Sequence, residues 1–529
     1  MAELYEWQKE CLELIRGKNA IVSAPTNAGK TRVAYLWMDV AGARDGKHKI
    51  IYTVPIRALA NQKTDELIEL YGKNLVGMET GDVKRREDAP ILVCTQEIYT
   101  KKYSQKDAPM KLVIDEFHYI FLTPDRARVY VDGIAKAKRT HQILIMSATL
   151  GNPQKVKDYL YKVTGKDFVL YHTDFRPTRL NITDAKFNLE EIPPYSLVYI
   201  FNKSSVDRMA KYMSTKLPPL PLNKRRRIKL LAENYKVNLE KFPEVMHGVA
   251  RYHAKLTYTE RRWIEHLIRE GFIHVCIATN AVGVGVNLPF RWVLFGGVTI
   301  PTKKGLTRVL SKVEFLQFAG RAGRKEYFDE GFVGYLEHSY NGLLGKKSED
   351  YQEYIKLKEK PLEEPSVVLN LNVEAIVKGD RTPEEELEYV LTYSDPPPNK
   401  KELQAELERI KTGLAKLTER ELKFLKRFYV SDLSLWDNIR VAKAVLRAPV
   451  YKHRSADNKS YKVRLLSSKR FMFLQRIDTD EAKRLMLVRK VLKTLNGRSF
   501  EKVKLRCTDI HEVEEQIRAM DPLLLEVEA

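Results

Sequence analysis

Residues 20–31 read Ala-Ile-Val-Ser-Ala-Pro-Thr-Asn-Ala-Gly-Lys-Thr, an apolar run followed by a loop that ends in Gly-Lys-Thr. The run Ala20–Ser23 predicts a strand that is buried on both faces. Residues 24–31 predict a phosphate-binding loop that opens a helix, with Ala24 in the place of the usual first glycine. Backbone N–H groups of such a loop, and of the helix after it, bind phosphate oxygens. We therefore expect a strand–loop–helix unit that binds a nucleotide.

The side chains of this loop predict how a nucleotide and its metal ion are held. Gly29 lets the backbone approach the phosphates closely, because it has no side chain. Lys30 is expected to neutralise the β- and γ-phosphates, and the Thr31 hydroxyl to bind Mg²⁺. The expected cofactors are therefore ATP and Mg²⁺. The loop residues expected to contact ATP are Ala24, Pro25, Thr26, Asn27, Ala28, Gly29, Lys30 and Thr31.

A second apolar run ends in two carboxylates and a histidine, in the order Leu112-Val-Ile-Asp-Glu-Phe-His118. Carboxylates at the carboxyl end of a parallel strand face the ligand crevice of the sheet. Asp115 is expected to bind Mg²⁺ through its oxygens, and Glu116 to orient and deprotonate the attacking water. His118 is expected to sense the γ-phosphate or to relay its loss to another domain. The two motifs together predict an ATP hydrolase.

Short apolar runs rich in Val and Ile recur along the first 340 residues, with helical stretches between many of them. Five are predicted strands of a first domain, at 20–23, 50–54, 91–94, 112–114 and 143–146. Four more are predicted strands of a second domain, at 197–201, 274–278, 292–296 and 332–336. This alternation predicts an α/β fold with two doubly wound parallel sheets in tandem.

Proline and charge mark the boundaries between the predicted domains. We expect an ATP-binding domain at 1–175, a second α/β domain at 190–340, a small helical domain at 341–398 and a basic, mainly helical domain at 399–529. The proline-containing stretch 175–194 is predicted to be a linker. The stretch 217–227, which contains Pro-Pro-Leu-Pro-Leu followed by Asn-Lys-Arg-Arg-Arg, is predicted to be an exposed loop.

The composition limits the class of protein and its partners. The chain has 529 residues and a formal net charge of +22, and such an excess of positive charge favours a polyanionic partner, nucleic acid first. A thermophile's charged surface is the alternative explanation. Four scattered cysteines without a Cys-x-x-Cys pair argue against a structural zinc site. The sequence has no secretory core near residue 1 and no apolar stretch of membrane-spanning length, so we expect a cytoplasmic protein.

The excess charge is concentrated in residues 441–508, which hold 19 Lys or Arg against 5 Asp or Glu, a net of +14. Aromatic residues are interleaved with these cations, at Tyr451, Tyr461, Phe471, Phe473 and Phe500. Cations bind phosphates while aromatic rings stack on unpaired bases, so the segment is predicted to be a nucleic-acid platform. A folded domain with the aromatics as its core is the alternative.

Two later motifs link the ATP site to motion. Ser147-Ala-Thr149 follows a predicted strand and is suited to coupling the ATP site to a nucleic-acid track. Gln317-Phe-Ala-Gly-Arg-Ala-Gly-Arg324 lies late in the second domain. Its two arginines, Arg321 and Arg324, are spaced as an arginine finger that reaches across a cleft to transition-state charge, with Gln317 beside them.

With these motifs in this order, residues 1–340 resemble a superfamily-2 DExH helicase of the superkiller-like group, which includes archaeal repair helicases of the helicase-Q type. The resemblance implies two recombinase-like (RecA-like) motor domains, and a winged-helix-like domain over 341–398. It implies that Gln8 reads adenine. It also implies that the fifth helicase motif, Ala278-Thr279 with Gly283-Val-Gly-Val-Asn-Leu-Pro289, places Gly283 at the ATP site.

The same resemblance implies which residues contact the nucleic-acid strand. Three tracking motifs are Pro55-Ile-Arg-Ala-Leu-Ala60, Thr80-Gly-Asp82 and Thr95-Gln-Glu97, and Tyr252-His-Ala-Lys-Leu256 resembles a fourth element but departs from it at Tyr252 and Lys255. The residues expected to contact the strand are Pro55, Arg57, Thr80, Gly81, Thr95, Gln96, His253 and Thr279.

The resemblance favours a helicase that travels 3′→5′ on single-stranded DNA in repair or processing, with RNA as another substrate. Three alternatives stay open. The chain also resembles a stand-alone helicase subunit of a type I CRISPR interference complex, which acts in antiviral defence with a separate nuclease. An ATPase that remodels protein complexes would carry the same motifs. A DNA-sensing protein with an inactive ATP site is disfavoured, because the chain keeps Lys30, Asp115, Glu116 and Arg324.

Overall fold

Ala20–Ser23 forms a strand in the computed structural model of the chain and leads directly into a loop and a helix. The structure describes residues 3–81, 83–279, 288–301, 307–323, 325, 327–337, 347–429, 434–446, 450–454, 460–464 and 525–527. The chain separates into two compact units, Met1–Val367 and Val368–Ala529.

The first sheet of the larger unit has eight strands and contains all five that were predicted for the first domain. The strands are β1 (Ala20–Ser23), β2 (Lys49–Val54), β3 (Val76–Glu79), β4 (Lys84–Arg85), β5 (Ile91–Thr95), β6 (Met110–Ile114), β7 (His141–Ser147) and β8 (Val169–His172). Their order is β4-β3-β5-β2-β6-β7-β1-β8, and only β3 and β4 pair antiparallel. The strand before the phosphate-binding loop thus lies next to the SAT strand, β7.

Three strands of this sheet, β3, β4 and β8, were not predicted. β3 contains a glycine and a glutamate, and β4 consists of two exposed cations. β8 is only half-buried, since it lies at the edge of the sheet. The central strands β1 and β5, in contrast, are buried at every position.

The second sheet has six parallel strands and contains the four predicted for the second domain. The strands are β9 (Arg179–Phe187), β10 (Ser196–Tyr199), β11 (Val249–Tyr252), β12 (Val275–Ala278), β13 (Trp292–Phe295) and, after a hairpin of β14 (Thr299–Pro301) and β15 (Thr307–Val309), β16 (Glu330–Leu336). Their order is β11-β12-β10-β13-β16-β9. Two doubly wound parallel sheets in tandem confirm the predicted fold class.

The predicted linker at 175–194 is wrong, because β9 lies inside it and pairs with β16 along most of its length. Its residues are half-buried from Leu180 to Thr183 and alternate between exposed and half-buried from Asp184 to Phe187, as an edge strand allows, so no buried apolar run marks it. The prolines that suggested a linker lie before and after the strand rather than within it.

The larger unit contains twelve described helices on and around the two sheets. They are α1 (Glu6–Ile15), α2 (Lys30–Trp37), α3 (Val40–Arg44), α4 (Arg57–Tyr71), α5 (Gln96–Ile98), α6 (Pro124–Ala135), α7 (Pro153–Thr164), α8 (Lys203–Lys216), α9 (Leu222–Asn234), α10 (Tyr258–Arg269), α11 (Lys312–Ala319) and α12 (Lys347–Glu359). Tyr354 of α12 is fully buried in the core of the second motor domain. None of the helices that the structure describes has the length and apolar character that a membrane crossing requires.

The predicted exposed loop at 217–227 is also wrong in its second half, which belongs to α9. Pro221 precedes the first helical residue, a position where proline does not interrupt hydrogen bonding within the helix. Ile228, Leu231 and Ala232 are buried in the core of the second domain, at the spacing of one helical face. The cations of the Asn-Lys-Arg-Arg-Arg run therefore belong to an amphipathic helix.

The smaller unit begins at Val368 and is helical in most of its described part. Its helices are α13 (Val373–Lys378), α14 (Pro383–Tyr393), α15 (Lys400–Ala415), α16 (Glu419–Phe428) and α17 (Leu435–Leu446). Helices α15 and α16 agree with the helical character predicted for the beginning of 399–529. Three short strands, β17 (Val450–Arg454), β18 (Ser460–Arg464) and β19 (Leu525–Val527), form an antiparallel sheet that the sequence did not predict. The winged-helix assignment of 341–398 stays a prediction.

Candidate functional site

The phosphate-binding loop joins β1 to α2, which begins at Lys30. Gly29 ends the loop at φ +100°, and Asn27 lies at φ +71°. Glycine adopts this left-handed backbone readily, and asparagine tolerates it better than most residues. The N–H of Ala24 donates to the carbonyl of Ser147 at 3.3 Å, which connects the loop to the SAT motif. The loop therefore has the tight turn that phosphate binding by backbone N–H groups requires.

Gln8 packs against this loop and forms a hydrogen bond with it. Its side chain is buried, its Nε2 donates to the carbonyl of Gly29 at 3.0 Å, and its Oε1 accepts from the N–H of Tyr5 at 2.9 Å. A Cβ at Gly29 would lie 2.6 Å from the Gln8 Nε2, so a side chain at position 29 would displace the amide. The structure thus places Gln8 against the loop, and its role in reading adenine stays a prediction.

Lys30 lies inside the loop that it follows. Its Nζ donates to the carbonyls of Ala24 at 2.6 Å and Pro25 at 2.8 Å. Burial lowers the pKa of Lys30, and the nearby carboxylates of Glu116 and Asp115 oppose that change. The cation therefore lies between the loop and the end of β6, as a ligand of nucleotide phosphates should.

The two carboxylates after β6 differ in their surroundings. Asp115 is buried, its Oδ2 accepts from the Tyr52 hydroxyl at 2.7 Å, and its Oδ1 accepts from the N–H of Glu116 at 2.9 Å. Burial and the charge of Glu116 raise the pKa of Asp115. Glu116 lies at φ +54°, and its side chain is partly exposed, 3.5 Å from the Nδ1 of His118. Asp115 is thus held in place, while the Glu116 carboxylate stays partly exposed beside His118.

The donor chemistry of the site fits a magnesium ion. The Thr31 hydroxyl and the Asp115 carboxylate are the oxygen ligands that Mg²⁺ prefers. Two adjacent carboxylates, one of them buried, favour a nearby cation. Within the described part of the chain, no cluster of three or more His, Cys, Asp or Glu side chains is arranged to hold a metal. Such a small ligand set suits an ion that also takes its ligands from nucleotide phosphates and water.

His118 contacts the second motor domain. Its ring is buried, and Nε2 lies within hydrogen-bond distance of the Gln317 amide on α11. Burial, followed by the charge of Lys30, lowers the pKa of His118 to about 3. The imidazole is therefore neutral near pH 7, so one ring nitrogen can accept the amide hydrogen of Gln317. This contact connects the end of β6 to the Gln317–Arg324 motif.

A second contact joins the phosphate-binding loop to that same motif. Asn27 Nδ2 donates to the carbonyl of Gly320 at 2.7 Å. A Cβ at Gly320 would lie 2.9 Å from the Cβ of Thr26, so the two segments touch at a glycine. Arg321 is 6% exposed, and its charge is close enough to lower the pKa of Lys30, after burial and the charge of Arg176.

Two residues predicted for this site, Arg324 and Gly283, lie outside the described residues. The other ATP-site residues predicted from the sequence come together at the carboxyl ends of β1 and β6, with α11 facing them. Their catalytic roles stay predictions, because the position of a side chain does not show which step of a reaction it performs.

The stretch just before β9 was missed as part of the site. Arg176 Nη2 contacts the carbonyl of Ala322 at 3.5 Å, and Thr178 Oγ1 donates to the carbonyl of Gly323 at 3.2 Å. Burial lowers the pKa of Arg176 to about 10. The Phe175 ring lies 4.9 Å from the ring of Tyr5, in the first motor domain. The sequence Phe175-Arg176-Pro177 was assigned to the predicted linker, so Arg176 was not considered as a residue of the site.

Residues of the first two tracking motifs lie beside each other. Arg57 is exposed at the start of α4, and a Cβ at Gly81 would lie 2.8 Å from its Nη2. The N–H of Thr80 donates to the carbonyl of Val83 at 2.8 Å, which turns the chain toward Arg57. Pro55 is buried just before α4. The exposed guanidinium beside a glycine is suited to a phosphate contact.

The other residues expected to contact the strand are buried in this structure. Thr95 ends β5 and Gln96 begins α5, and the Gln96 amide lies close to Gly133 of α6. His253 Nε2 bonds to Asp207 Oδ1 at 2.8 Å, and the N–H of Thr279 donates to the carbonyl of Tyr252 at 3.1 Å. A direct strand contact by any of these residues stays a prediction.

Comparison with known proteins identifies the two motor domains. A family model described as DEAD/DEAH box helicase matches residues 5–157, and one described as helicase conserved C-terminal domain matches residues 217–326. The ATP-dependent DNA helicase Hel308 of Thermoplasma volcanium is 29% identical to this chain over 428 residues, covering 73% of this chain and 60% of that protein. Hel308 of Pyrococcus horikoshii is 29% identical, covering 63% and 50%. The ATP-dependent RNA helicase mtr4 of Schizosaccharomyces pombe is 27% identical, covering 61% and 35%.

The chain spans 35–60% of the length of these three relatives, so the likeness concerns the shared domains. The residues that the two family models match include the phosphate-binding loop, the Asp-Glu-Phe-His motif and the Gln317–Arg324 motif. With the geometry described above, these matches show that the chain carries a DEAD/DEAH box helicase domain and a helicase conserved C-terminal domain, similar to those of superfamily-2 DExH helicases of the superkiller-like group.

Proposed function

We propose that this protein is an ATP-dependent helicase or translocase that moves 3′→5′ on single-stranded DNA and unwinds duplexes in repair or processing. The observation that supports it most is the pair of contacts between the motor domains, Asn27 to Gly320 and His118 to Gln317. Both contacts join ATP-site motifs of one domain to the arginine-rich motif of the other. A change at the nucleotide therefore alters the contact between the domains directly.

Each residue of the site has a proposed task. Backbone N–H groups of the loop and Lys30 bind the phosphates, and Glu116 takes a proton from the attacking water. Mg²⁺, held by Thr31 and Asp115, would offset charge on the phosphates. Arg321 and Arg324 stabilise the charge that develops during hydrolysis. His118 and Gln317 transmit the change to the second domain.

Nucleic-acid contacts on both motor domains alternate in strength as the cleft closes and opens, which moves the protein along one strand. Arg57 and the backbone around Gly81 contribute on the first domain. Recognition is mostly independent of sequence, because phosphate contacts carry it. A net charge of +22 is consistent with such binding.

The test is ATP hydrolysis measured with oligo-dT, with oligo-U and with neither, followed by unwinding of a labelled duplex that carries a 3′ or a 5′ single-stranded tail. We expect stimulation by oligo-dT and unwinding of the 3′-tailed duplex only. Stimulation without unwinding of either duplex would favour an ATPase that remodels protein complexes. Hydrolysis that neither polymer changes would contradict the proposal.

RNA is the second candidate substrate, because relatives of similar identity carry RNA helicase in their names. They include mtr4 and the DExH-box ATP-dependent RNA helicase DExH15 of Arabidopsis thaliana, 23% identical to this chain. Stronger stimulation by oligo-U than by oligo-dT would favour it. We also propose a cytoplasmic location. A separate nuclease or a CRISPR effector complex is a proposed partner on the sequence alone, and a mixing experiment with the purified complex would test it.

A further inference from the structure

Lys63 on helix α4 is a buried cation to which neither the sequence nor the proposed reaction gives a task. Its side chain is 7% exposed, and its Nζ lies 2.9 Å from Glu66 Oε2 and 3.4 Å from Thr31 Oγ1. The same atom lies 5.6 Å from the centre of the Tyr35 ring and 5.9 Å from that of Tyr52. The ammonium group thus sits beside a proposed magnesium ligand, between two aromatic rings.

The groups around Lys63 form one connected network. Glu66 accepts from the Tyr35 hydroxyl at 2.8 Å and from the Gln62 amide at 3.0 Å, so its position is set by three donors. Tyr52 donates to Asp115, the other proposed magnesium ligand, at 2.7 Å. Burial raises the pKa of Glu66, but Lys63 and the hydrogen bonds outweigh it and lower that pKa overall.

A buried ammonium group needs a reason to be present, because an unpaired charge in the interior is costly. Pairing with Glu66 satisfies the charge, yet an apolar pair of similar volume would often stabilise the fold as well or better. The network reaches past Glu66 to Thr31. This position favours a task at the ATP site over simple support of the core.

Helix α4 also connects Lys63 to two distant surfaces. The helix begins at Arg57, the exposed residue of the tracking motif. Asp65 of the same helix accepts from the Tyr258 hydroxyl of the second motor domain at 2.6 Å. One rigid element therefore carries a proposed strand contact, a contact with the second domain and the side chain nearest to Thr31.

We propose that Lys63 is a positioning residue through which α4 sets the geometry of Thr31 and Asp115, so that strand binding at Arg57 and nucleotide binding at the loop favour each other. The inference rests on the proposed function, because it assumes that the strand contacts α4. A shift of α4 when the strand binds moves Lys63 relative to Thr31. Thermodynamic linkage then requires that nucleotide binding change strand affinity by the same factor.

The test measures the affinity of a fluorescent ADP with Mg²⁺, in the presence and absence of saturating oligo-dT, and requires no hydrolysis. The ratio of the two affinities is the coupling factor, and such factors typically lie at about 5- to 150-fold. In the double variant Lys63→Met/Glu66→Gln, both charges are removed together, and we expect the factor to fall close to 1. Lys63→Arg keeps the cation and should keep most of the coupling.

The double variant avoids the unpaired Glu66 that Lys63→Met alone would leave in the interior. Lys111→Met is the matched control. Lys111 also lies over an aromatic ring, 4.9 Å from the centre of Trp37, and its Nζ donates to the Trp37 carbonyl at 2.9 Å. It belongs to β6 of the same domain, and we expect this variant to retain wild-type coupling. Thermal melts of every variant show which are folded.

The outcomes separate the inference from the proposed function. Wild-type coupling in the folded double variant overturns the task given to Lys63, while the proposed function stands. Equal loss of coupling in Lys111→Met and in the double variant also overturns it, because the loss would then follow from removing any lysine that lies over an aromatic ring of this domain. A wild-type protein that shows neither stimulation nor coupling with oligo-dT or oligo-U overturns the proposed function and the inference with it.

Discussion

The Asn27 side chain donates from its Nδ2 to the main-chain carbonyl of Gly320 at 2.7 Å, across the cleft between the motor domains. Asn27 belongs to the phosphate-binding loop, where it lies at φ +71°, and Gly320 ends α11. The loop that is expected to hold ATP is thus bonded to the motif that is expected to supply the arginine finger. This bond can report the state of the nucleotide to the second domain.

Replacing Asn27 by glycine should weaken this connection without straining the loop. Glycine adopts the positive φ without steric strain, so the main loss is that of the side-chain hydrogen bonds to the carbonyls of Gly320 and, at 3.4 Å, Gly323. A hydrogen bond contributes about 0.5–1.5 kcal/mol, and we expect kcat/KM for ATP to fall by roughly 2- to 13-fold. Asn27→Ala, which strains the positive φ as well, should also lower the melting temperature. Unchanged kinetics in Asn27→Gly would show that the bond has no part in the cycle.

Lys30→Ala and Glu116→Gln should both abolish hydrolysis, but by different routes. Without the Lys30 cation, the negative charge of the ATP phosphates is not neutralised, so ATP binds poorly. Without the Glu116 carboxylate ATP still binds, and the closed state accumulates because no group accepts the proton from water. Nucleotide affinity and turnover, measured on both variants, separate the two effects. Turnover near the wild-type rate in Glu116→Gln would mean that Glu116 is not the base.

Arg324→Ala should lower turnover far more than nucleotide affinity, because an arginine finger acts on transition-state charge. Related contacts contribute about 10³–10⁵ in rate. Arg321, buried near Lys30, is the residue for comparison. If Arg324 were structural instead, its removal would lower the melting temperature and leave the turnover of the folded protein intact. Kinetics and a thermal melt on the same sample distinguish these results.

The central strands and the ATP site were predictable because their signals are local. β1 and β5 are buried on both faces, so they read as continuous apolar runs. Asp115 and Glu116 follow β6 directly, and Lys30 and Thr31 begin the helix that follows the loop after β1. Edge strands such as β9 were missed, since one face meets water and the apolar pattern breaks.

Contacts between residues that are far apart in sequence could not be predicted from local sequence patterns. Lys63 reads as one more cation on an amphipathic helix, and only the fold shows it beside Thr31. Arg176 likewise depends on the folded position of Ala322. Gln96 shows a different limit of prediction from sequence. Its motif resembles one that contacts the nucleic-acid strand, but the fold buries the Gln96 side chain.

The buried imidazole of His118 should make folding stability depend on pH. Burial lowers its pKa to about 3 in the folded protein, while in the unfolded chain it stays at roughly 6.5. Below pH 6.5 the unfolded state binds a proton that the folded state does not. Neutral His118 therefore contributes stability above about pH 6.5 that is lost as pH falls toward 3. The loss amounts to at most about 1.4 kcal/mol per pH unit.

Melting temperatures of wild type and His118→Gln at pH 7.5 and 5.5 test this dependence. Wild type should lose more stability than the variant between the two values, since every other titrating group is shared. An equal loss in both proteins would mean that the imidazole is accessible to protons in the folded state.

The basic segment 441–508 leads to the last prediction, which depends on salt. Lys452 on β17 and Lys462 on β18 are register partners in the antiparallel sheet, so two cations occupy neighbouring positions on adjacent strands. Phe471, Phe473 and Phe500 of the same segment lie outside the described residues. If this segment is a nucleic-acid platform, the paired lysines should contact backbone phosphates. If its aromatics form a core and its cations only face water, removal of the lysines should not affect binding.

Lys452→Gln/Lys462→Gln should therefore flatten the slope of log affinity for oligo-dT against log salt. Each lost phosphate contact on a single strand reduces that slope by about 0.7, and two contacts reduce it by about 1.4. Hydrolysis without nucleic acid should not change, because both lysines belong to the smaller unit. Lys400→Gln/Lys401→Gln, two exposed cations at the start of α15, is the charge-matched control. An unchanged slope in the folded Lys452→Gln/Lys462→Gln protein, or an equal decrease in the control, would rule out a phosphate contact specific to this sheet.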